Sequence, residues 1–387
     1  MRTGAWTGAE RGIVAGVMDS HGARVDVVVI GAGQAGLSAA QHLRNAGLAA
    51  RGPGASSSGR GGFVVLDDAD APGGAWQHRW DSLLMRDAHG VHELPGMPLP
   101  TADPDERASV AVPRYFAAYE RAFELPVARP VRVRAVRDVG GPAGLLAVET
   151  DHGEWLTRAV VNATGTWQQP FWPSYPGRER FAGEQLHTRD FRSAADYLGR
   201  HVVVIGGGTS ALQLLLRIAE ITTTTWVTRR APEFLARDFD AEWGRAVVAK
   251  VDARTRAGLP PGSVVGVTGL PLTQEYQRGI DRGILARLPM FARIVGDGVE
   301  WDPHDVPPAP AHRRADVLLW ATGFRAGLGH FAPLGLRARG GGIVMDGMQV
   351  VADPRLQLVG YGPSASTIGA NRAAREAVRN LRRLLSL

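Results

Sequence analysis

Cysteine is absent from the chain and lysine nearly so, with Lys250 alone against a background of arginine. Without thiols no disulfide forms, so cysteine usage says nothing about the compartment. The same absence excludes enzymes that relay electrons through a redox-active cysteine pair. Also missing is any run of about 18 apolar residues, so no membrane-spanning helix is expected. A signal-peptide core is lacking, because Thr7, Glu10 and Arg11 interrupt the start. The expected location is the cytoplasm. The net charge is +6, yet the arginines are interleaved with carboxylates. There is no basic block with aromatic platforms, which argues against a nucleic-acid partner. The surplus of arginine, alanine and glycine reads as a coding bias.

Two glycine fingerprints dominate what is present. The first is VDVVVI followed by GAGQAG at residues 25–36; the second is HVVVI followed by GGGTSA at residues 201–211. Each has a buried-strand pattern before it and an amphipathic helix pattern after it. One glycine-rich turn is weak evidence, but two in this context are strong. The first glycine permits a tight turn, the second admits a pyrophosphate, and the third small residue lets helix pack on strand. The helix start then offers free N–H groups to phosphate. Two such sites in one chain imply two dinucleotides face to face, and hydride transfer between them.

At 387 residues the chain suggests about two to three domains. Residues 1–23 are expected to be a flexible leader, with Met18 an alternative start. Low-complexity RGPGASSSGRGG at 51–62 reads as a mobile insertion between the first helix and the strand FVVL at 63–66. A helix is expected near 113–123. Two segments, AVVNATGTW at 159–167 and DVLLWATGF at 316–324, share an Ala-Thr-Gly ending. That ending reads as a tight crossing where backbone lies against a bound nucleotide. Residues 231–295 read as a helical insertion, and the tail as a strand, a Gly/Ser turn and a final helix.

An acid after the second strand of such a unit accepts hydrogen bonds from ribose hydroxyls. In the first unit Asp67 holds that place, with Asp68 the competing choice. In the second unit Thr228 is followed by Arg229 and Arg230. Guanidinium groups bind a 2′-phosphate through charge-assisted pairs, so NADPH is favoured over NADH.

With these marks in place the chain resembles the flavin-containing monooxygenase family, the single-component FAD- and NADPH-dependent type. The resemblance rests on GAGQAG, on GGAW at 73–76, on NATGTW, and on FAGEQLHTRDF at 181–191. WATGF at 320–324 and a STIGAN turn near the C-terminus add to it. It implies an α/β fold of two Rossmann-like dinucleotide-binding domains, the second inserted in the first, with the helical insertion at 231–295. The FAD domain spans 24–166 and 325–387, and the NADPH domain 167–324. Gly31, Gly33, Gln34, Ala35, Gly36 and Asp67 would hold the ADP half of FAD. Gly74 and Trp76 would line the flavin, with Thr367 and Ile368 bringing amides to the isoalloxazine edge. Gly206, Gly208, Thr209, Ser210, Arg229 and Arg230 would hold NADPH. Thr164, Gly165, Thr322 and Gly323, in the two Ala-Thr-Gly endings, would be further cofactor-binding residues. His187 and Gly183 would lie in the interdomain hinge, with a structural role for His187 preferred to proton transfer.

The implied reaction moves one oxygen atom from a C4a-(hydro)peroxyflavin to a nucleophilic centre of a small organic substrate, with O2 as co-substrate. The alternatives are a reductase passing electrons to a protein or quinone, and a non-catalytic nucleotide sensor. Trp80-Asp81-Ser82 and Phe191-Arg192 depart from the Baeyer–Villiger branch and disfavour ketone-to-ester chemistry. Gly360-Tyr361-Gly362 replaces the Gly-Asp common near flavoprotein C-termini, so ribityl binding must differ. No catalytic acid or base and no metal are assigned, and monomer or homodimer is left open. Phe234, Leu235, Trp243, Val264, Val265, Val267, Ile284, Leu285 and Phe291 form either the substrate wall or a packing insert.

Overall fold

The computed structural model describes residues 23–52, 62–88, 91–140, 144–235, 241–262, 269–302, 310–364 and 367–386. Nearly all of the leader, most of the 51–62 insertion, and Val264, Val265 and Val267 lie outside the described residues. Among the described residues no helix is long and apolar enough to cross a membrane.

Valine-rich runs bounded by glycine form parallel strands buried on both faces, as expected where helices cover a sheet. In the first sheet the parallel core runs Leu356–Leu358, Gly153–Asn162, Ala23–Ile30, Gly62–Leu66, Val127–Ala128. An antiparallel hairpin, Val133–Asp138 with Leu146–Thr150, extends it beside Gly153–Asn162. The second sheet is wholly parallel and has five strands. Its order is Arg287–Pro289, Thr224–Thr228, Val202–Ile205, Val317–Trp320, Glu184–His187. All its strands fall between two groups of strands of the first sheet, so the second unit interrupts the first along the chain.

Helix Gln34–Asn45 packs against the last helix, Thr367–Leu385, through Leu43, Ala374, Ala377 and Leu381, all fully buried. His42 Nε2 also meets Asn371 Oδ1 at 2.8 Å. This ties the C-terminal segment to the first fingerprint. The helix expected from residue 113 begins at Ala108 instead, with Pro113 inside it. The Pro113 ring lies against Gly73, where an added Cβ would come within 2.7 Å.

The stretch 231–295 is not helical throughout. It holds helices Ala241–Arg256 and Gln274–Asp281, but Arg287–Pro289 leaves to pair with the edge of the second sheet. Phe234–Leu235 pairs in parallel with Leu270–Pro271. Leu285 and Phe291 are buried, and Phe291 sits edge-on to Trp301, Trp320 and Tyr175. These side chains pack the second domain, which favours the packing reading of this stretch.

The third fingerprint glycine has the least room. A Cβ on Gly36 would stand 1.8 Å from the Gly31 carbonyl oxygen, whereas one on Gly33 meets nothing within 4 Å. Gly36→Ala should therefore destabilise the fold by more than the ~1–3 kcal/mol of ordinary overpacking. Gly33→Ala, at the helix N-cap, should cost no more than about 1 kcal/mol. Denaturant unfolding of the two variants measures the contrast.

Candidate functional site at two dinucleotide turns

The two fingerprints are built to one plan. In the first, the Ala163 N–H donates to Ile30 O at 2.8 Å and the Gly31 N–H donates to Leu66 O at 2.7 Å. In the second, the Ala321 N–H donates to Ile205 O at 2.8 Å and the Gly206 N–H to Val227 O at 2.9 Å. Gly31 has φ +98° and Gly206 φ +145°, conformations that side chains resist. A Cβ there would lie 2.6 Å from Ala163 O and 2.2 Å from Ala321 O. Each Ala-Thr-Gly segment therefore presses its alanine carbonyl onto the first glycine of the neighbouring fingerprint. That contact explains why both motifs occur twice.

The turns suit a pyrophosphate. A Cβ on Gly33 or Gly208 would meet nothing within 4 Å, so backbone is open there, and both residues are N-caps without a side-chain cap. The helix-start N–H groups are left for an anion. Gln34 is buried and Ala35 half-buried, whereas Thr209 is exposed and Ser210 half-buried at the start of the second helix. Gly74 closes on the first turn, its added Cβ falling 3.0 Å from Gly33 Cα. The 3-10 helix Gly74–His78 carries Trp76, which is half-buried. Thr367 and Ile368 open the last helix.

Asp67 is buried after its strand. Its Oδ1 accepts from the Ala32 N–H at 3.2 Å, and its Oδ2 from Arg129 Nε at 2.8 Å. Arg129 also forms a two-pronged pair with Glu120, both contacts 2.7 Å. Burial pushes the Asp67 carboxyl upward, while the neighbouring Arg129 charge pulls it down. Asp68, the competing choice, is exposed. Arg129 was not singled out from the sequence. Leu66 pairs with Ala128, so the residues that follow, Asp67 and Arg129, arrive side by side. Nothing local in the sequence announces that pairing.

Arg229 and Arg230 are exposed at the end of strand Thr224–Thr228. The Arg229 charge is felt at Tyr175, where it opposes the upward push of burial on the phenol. Arg287, reached through the edge strand, bonds the Thr228 carbonyl at 3.1 Å and adds a third guanidinium to this corner.

Two chain crossings join the domains and run antiparallel, bridged at Pro170 and Phe324. The Phe171 N–H donates to Gly323 O, the Arg325 N–H to Gln169 O and the Gly327 N–H to Gly165 O, at 2.8–3.0 Å. Thr164 Oγ1 donates to Gly327 O at 2.7 Å and Thr322 Oγ1 to Phe171 O. Thr164, Gly165, Thr322 and Gly323 thus all belong to this double crossing. His187 is fully buried against it. Its Nδ1 accepts from the Arg189 N–H at 3.1 Å, so Nε2 carries the proton and donates to Gly323 O at 3.0 Å. Burial holds its pKa down. A neutral histidine with both nitrogens occupied clamps the crossing and has no proton to spare for chemistry. Gly183 lies at the far end of that strand, where an added Cβ would meet Asp316 O at 2.5 Å, and is not part of the hinge. His330 Nε2 contacts Asn162 Oδ1 at 2.9 Å below the crossing, and burial lowers its pKa to about 4.

An aromatic file runs beside the double crossing. His78 stacks on Trp167 at 5.9 Å, Trp167 on Phe324 at 5.2 Å, and Phe324 meets His187 edge-on at 4.9 Å. The Arg79 guanidinium sits 5.5 Å from the Trp76 ring and 5.0 Å from that of Trp167.

Comparison with known proteins agrees with this geometry. A family model described as pyridine nucleotide-disulphide oxidoreductase matches residues 93–249. The solved structure of a flavin-containing monooxygenase from Stenotrophomonas maltophilia is 36% identical, with a TM-score of 0.75. The match covers 94% of this chain and 99% of that one. A probable indole-3-pyruvate monooxygenase from Arabidopsis thaliana is 29% identical over 216 residues, 55% of this chain and 49% of that protein. An uncharacterised oxidoreductase of Bacillus velezensis is 25% identical over 54% of this chain and 56% of its own length. The chain thus spans about half the length of these two curated relatives. On the 36% identity across nearly the whole of both chains, the protein belongs to the flavin-containing monooxygenase family of FAD- and NADPH-dependent flavoproteins.

Proposed function

We propose that the protein is a monooxygenase that uses FAD, NADPH and O2 to place one oxygen atom on a nucleophilic centre of a small organic molecule. The observation that carries this is the pair of equivalent dinucleotide turns joined by one double crossing. FAD bound at the Gly31 turn supplies hydride acceptance and oxygen activation, the hard chemistry that a cofactor brings. The first helix start and Gly33 receive the pyrophosphate, and Asp67 uses its remaining lone pairs for ribose, held in place by Arg129 and the Ala32 N–H. The Gly208 turn receives the NADPH pyrophosphate, and Arg229 with Arg230 the 2′-phosphate. His187 holds the relative orientation of the turns through Gly323. Trp167 and Phe324 exclude water from the cleft between them. The sequence has no cysteine, so a dithiol relay to a disulfide substrate is closed to this chain. The solved Stenotrophomonas relative carries the monooxygenase name over its full length, which supports oxygenation over electron transfer to an acceptor.

Turnover of methyl p-tolyl sulfide under 18O2 tests the reaction. One 18O atom should enter the sulfoxide for each NADPH consumed in coupled turnover. Unlabelled product, with NADPH oxidation following an added quinone instead, would overturn the reading in favour of a reductase.

Cofactor choice is tested separately. Replacing Arg229 and Arg230 together with alanine should weaken NADPH binding by about 10- to 100-fold, at ~1.5–3 kcal/mol for a charge-assisted contact, and barely alter NADH binding. Equal losses for both nucleotides would remove the 2′-phosphate role.

A further inference from the structure

Arg79 is a cation that the two dinucleotide turns do not need. Its Nε–H is buried with no acceptor, and the Nε1–H of Trp167 beside it is in the same condition. Among the described residues no carboxylate pairs with its guanidinium, and burial alone depresses its pKa. The nearby groups add positive charge. His78, stacked on Trp167, is held down first by burial and then by the fields of Arg189 and Arg192. Asp68 is the one acid acting on His78, and its influence is the weakest of the four. Arg189 spends a donor on Gln168 Oε1, and Arg192 bonds the carbonyls of Arg189 and Phe191.

Arg79 is half-buried, and leaving its Nε–H buried without an acceptor is costly. Its contacts with Trp76 and Trp167 recover part of that cost through the ring faces. They leave the buried Nε–H without an acceptor and the charge without a counter-ion among the described residues. The dinucleotide phosphates already have the two helix starts and the Arg229 corner. A short acceptor-rich anion beside the two indoles would answer both the Nε–H and the charge. A carboxylate matches the guanidinium fork two-pronged.

We propose that Arg79 is a specificity-determining residue that binds a carboxylate on the substrate, while Trp76 and Trp167 pack against an aromatic or apolar body. This rests on the monooxygenase reading and narrows it: the substrate is a small organic acid whose nucleophilic centre lies away from its carboxylate. The route from sequence to this residue is short. Arg79 follows the 3-10 helix Gly74–His78 directly, and its N–H closes that helix on Trp76 O at 3.2 Å. Gly74 abuts Gly33, so the guanidinium lies a few residues from the first dinucleotide turn and against the crossing.

The test uses the oxidised holoenzyme and a matched pair of probes, 4-(methylthio)benzoate and its methyl ester. Binding is followed by flavin absorbance and tryptophan fluorescence, with no turnover required. The acid should bind about 10-fold or more tightly than the ester. Arg79→Gln should raise the acid Kd by about 10- to 100-fold. The ester Kd, FAD content and NADPH Kd should stay within about twofold on the same contact scale. Arg79→Lys should retain part of the preference, because it keeps the charge and loses the fork. Equal binding of acid and ester by the parent protein would overturn the proposal, whether or not Arg79→Gln folds. So would loss of FAD, or an equal loss of NADPH affinity, in either variant, since Arg79 would then be a cofactor ligand. Acid-selective binding without 18O incorporation would leave this assignment standing and remove the oxygenase reading. Labelled sulfoxide without acid preference would do the reverse.

Discussion

The molecule depends on one contact made twice: an alanine carbonyl pressed onto the first glycine of a dinucleotide turn. Ala163 O meets Gly31 and Ala321 O meets Gly206. At each place the chain leaves a central strand and crosses to the other domain. The contact leaves no room for a side chain on the glycine, and it forces the following Thr-Gly into the crossing. The two contacts are equivalent, and the chain that leaves each one enters the same double crossing. The crossings zip together through backbone hydrogen bonds, and His187 fastens them from below. A hinge so tied sets the orientation of two nucleotides without using any side chain that the chemistry would consume.

Among the described residues, the groups brought to the crossing are backbone amides, indoles and guanidinium groups. Of the histidines at the crossing, His187 is held down by burial with both nitrogens occupied, and His330 is bound to Asn162. A site of this composition orients, excludes water and balances charge. The bond-making capacity must come from the cofactor.

Much of this was legible in the sequence because it lives in local patterns. The valine runs gave parallel strands, the glycine spacing gave the turns, and the repeated Ala-Thr-Gly marked the crossings. What escaped was made by strand register and by packing. Arg129 reaches Asp67 only because Val127–Ala128 pairs alongside Gly62–Leu66. Arg79 looks like any arginine in a polar stretch until Trp76 and Trp167 close around it. Leu285 and Phe291 read equally well as cleft wall or core, because apolar character does not say which surface a side chain meets. Their burial within the second domain decides it.

If the two turns bring nicotinamide and flavin into direct contact across the crossing, anaerobic reduction with NADPH deuterated at C4, on each face in turn, will show it. Bleaching of the flavin absorbance should slow with label on one face and not on the other, as a single fixed orientation requires. A rate indifferent to label on both faces, or reduction that needs an added mediator, would contradict the account.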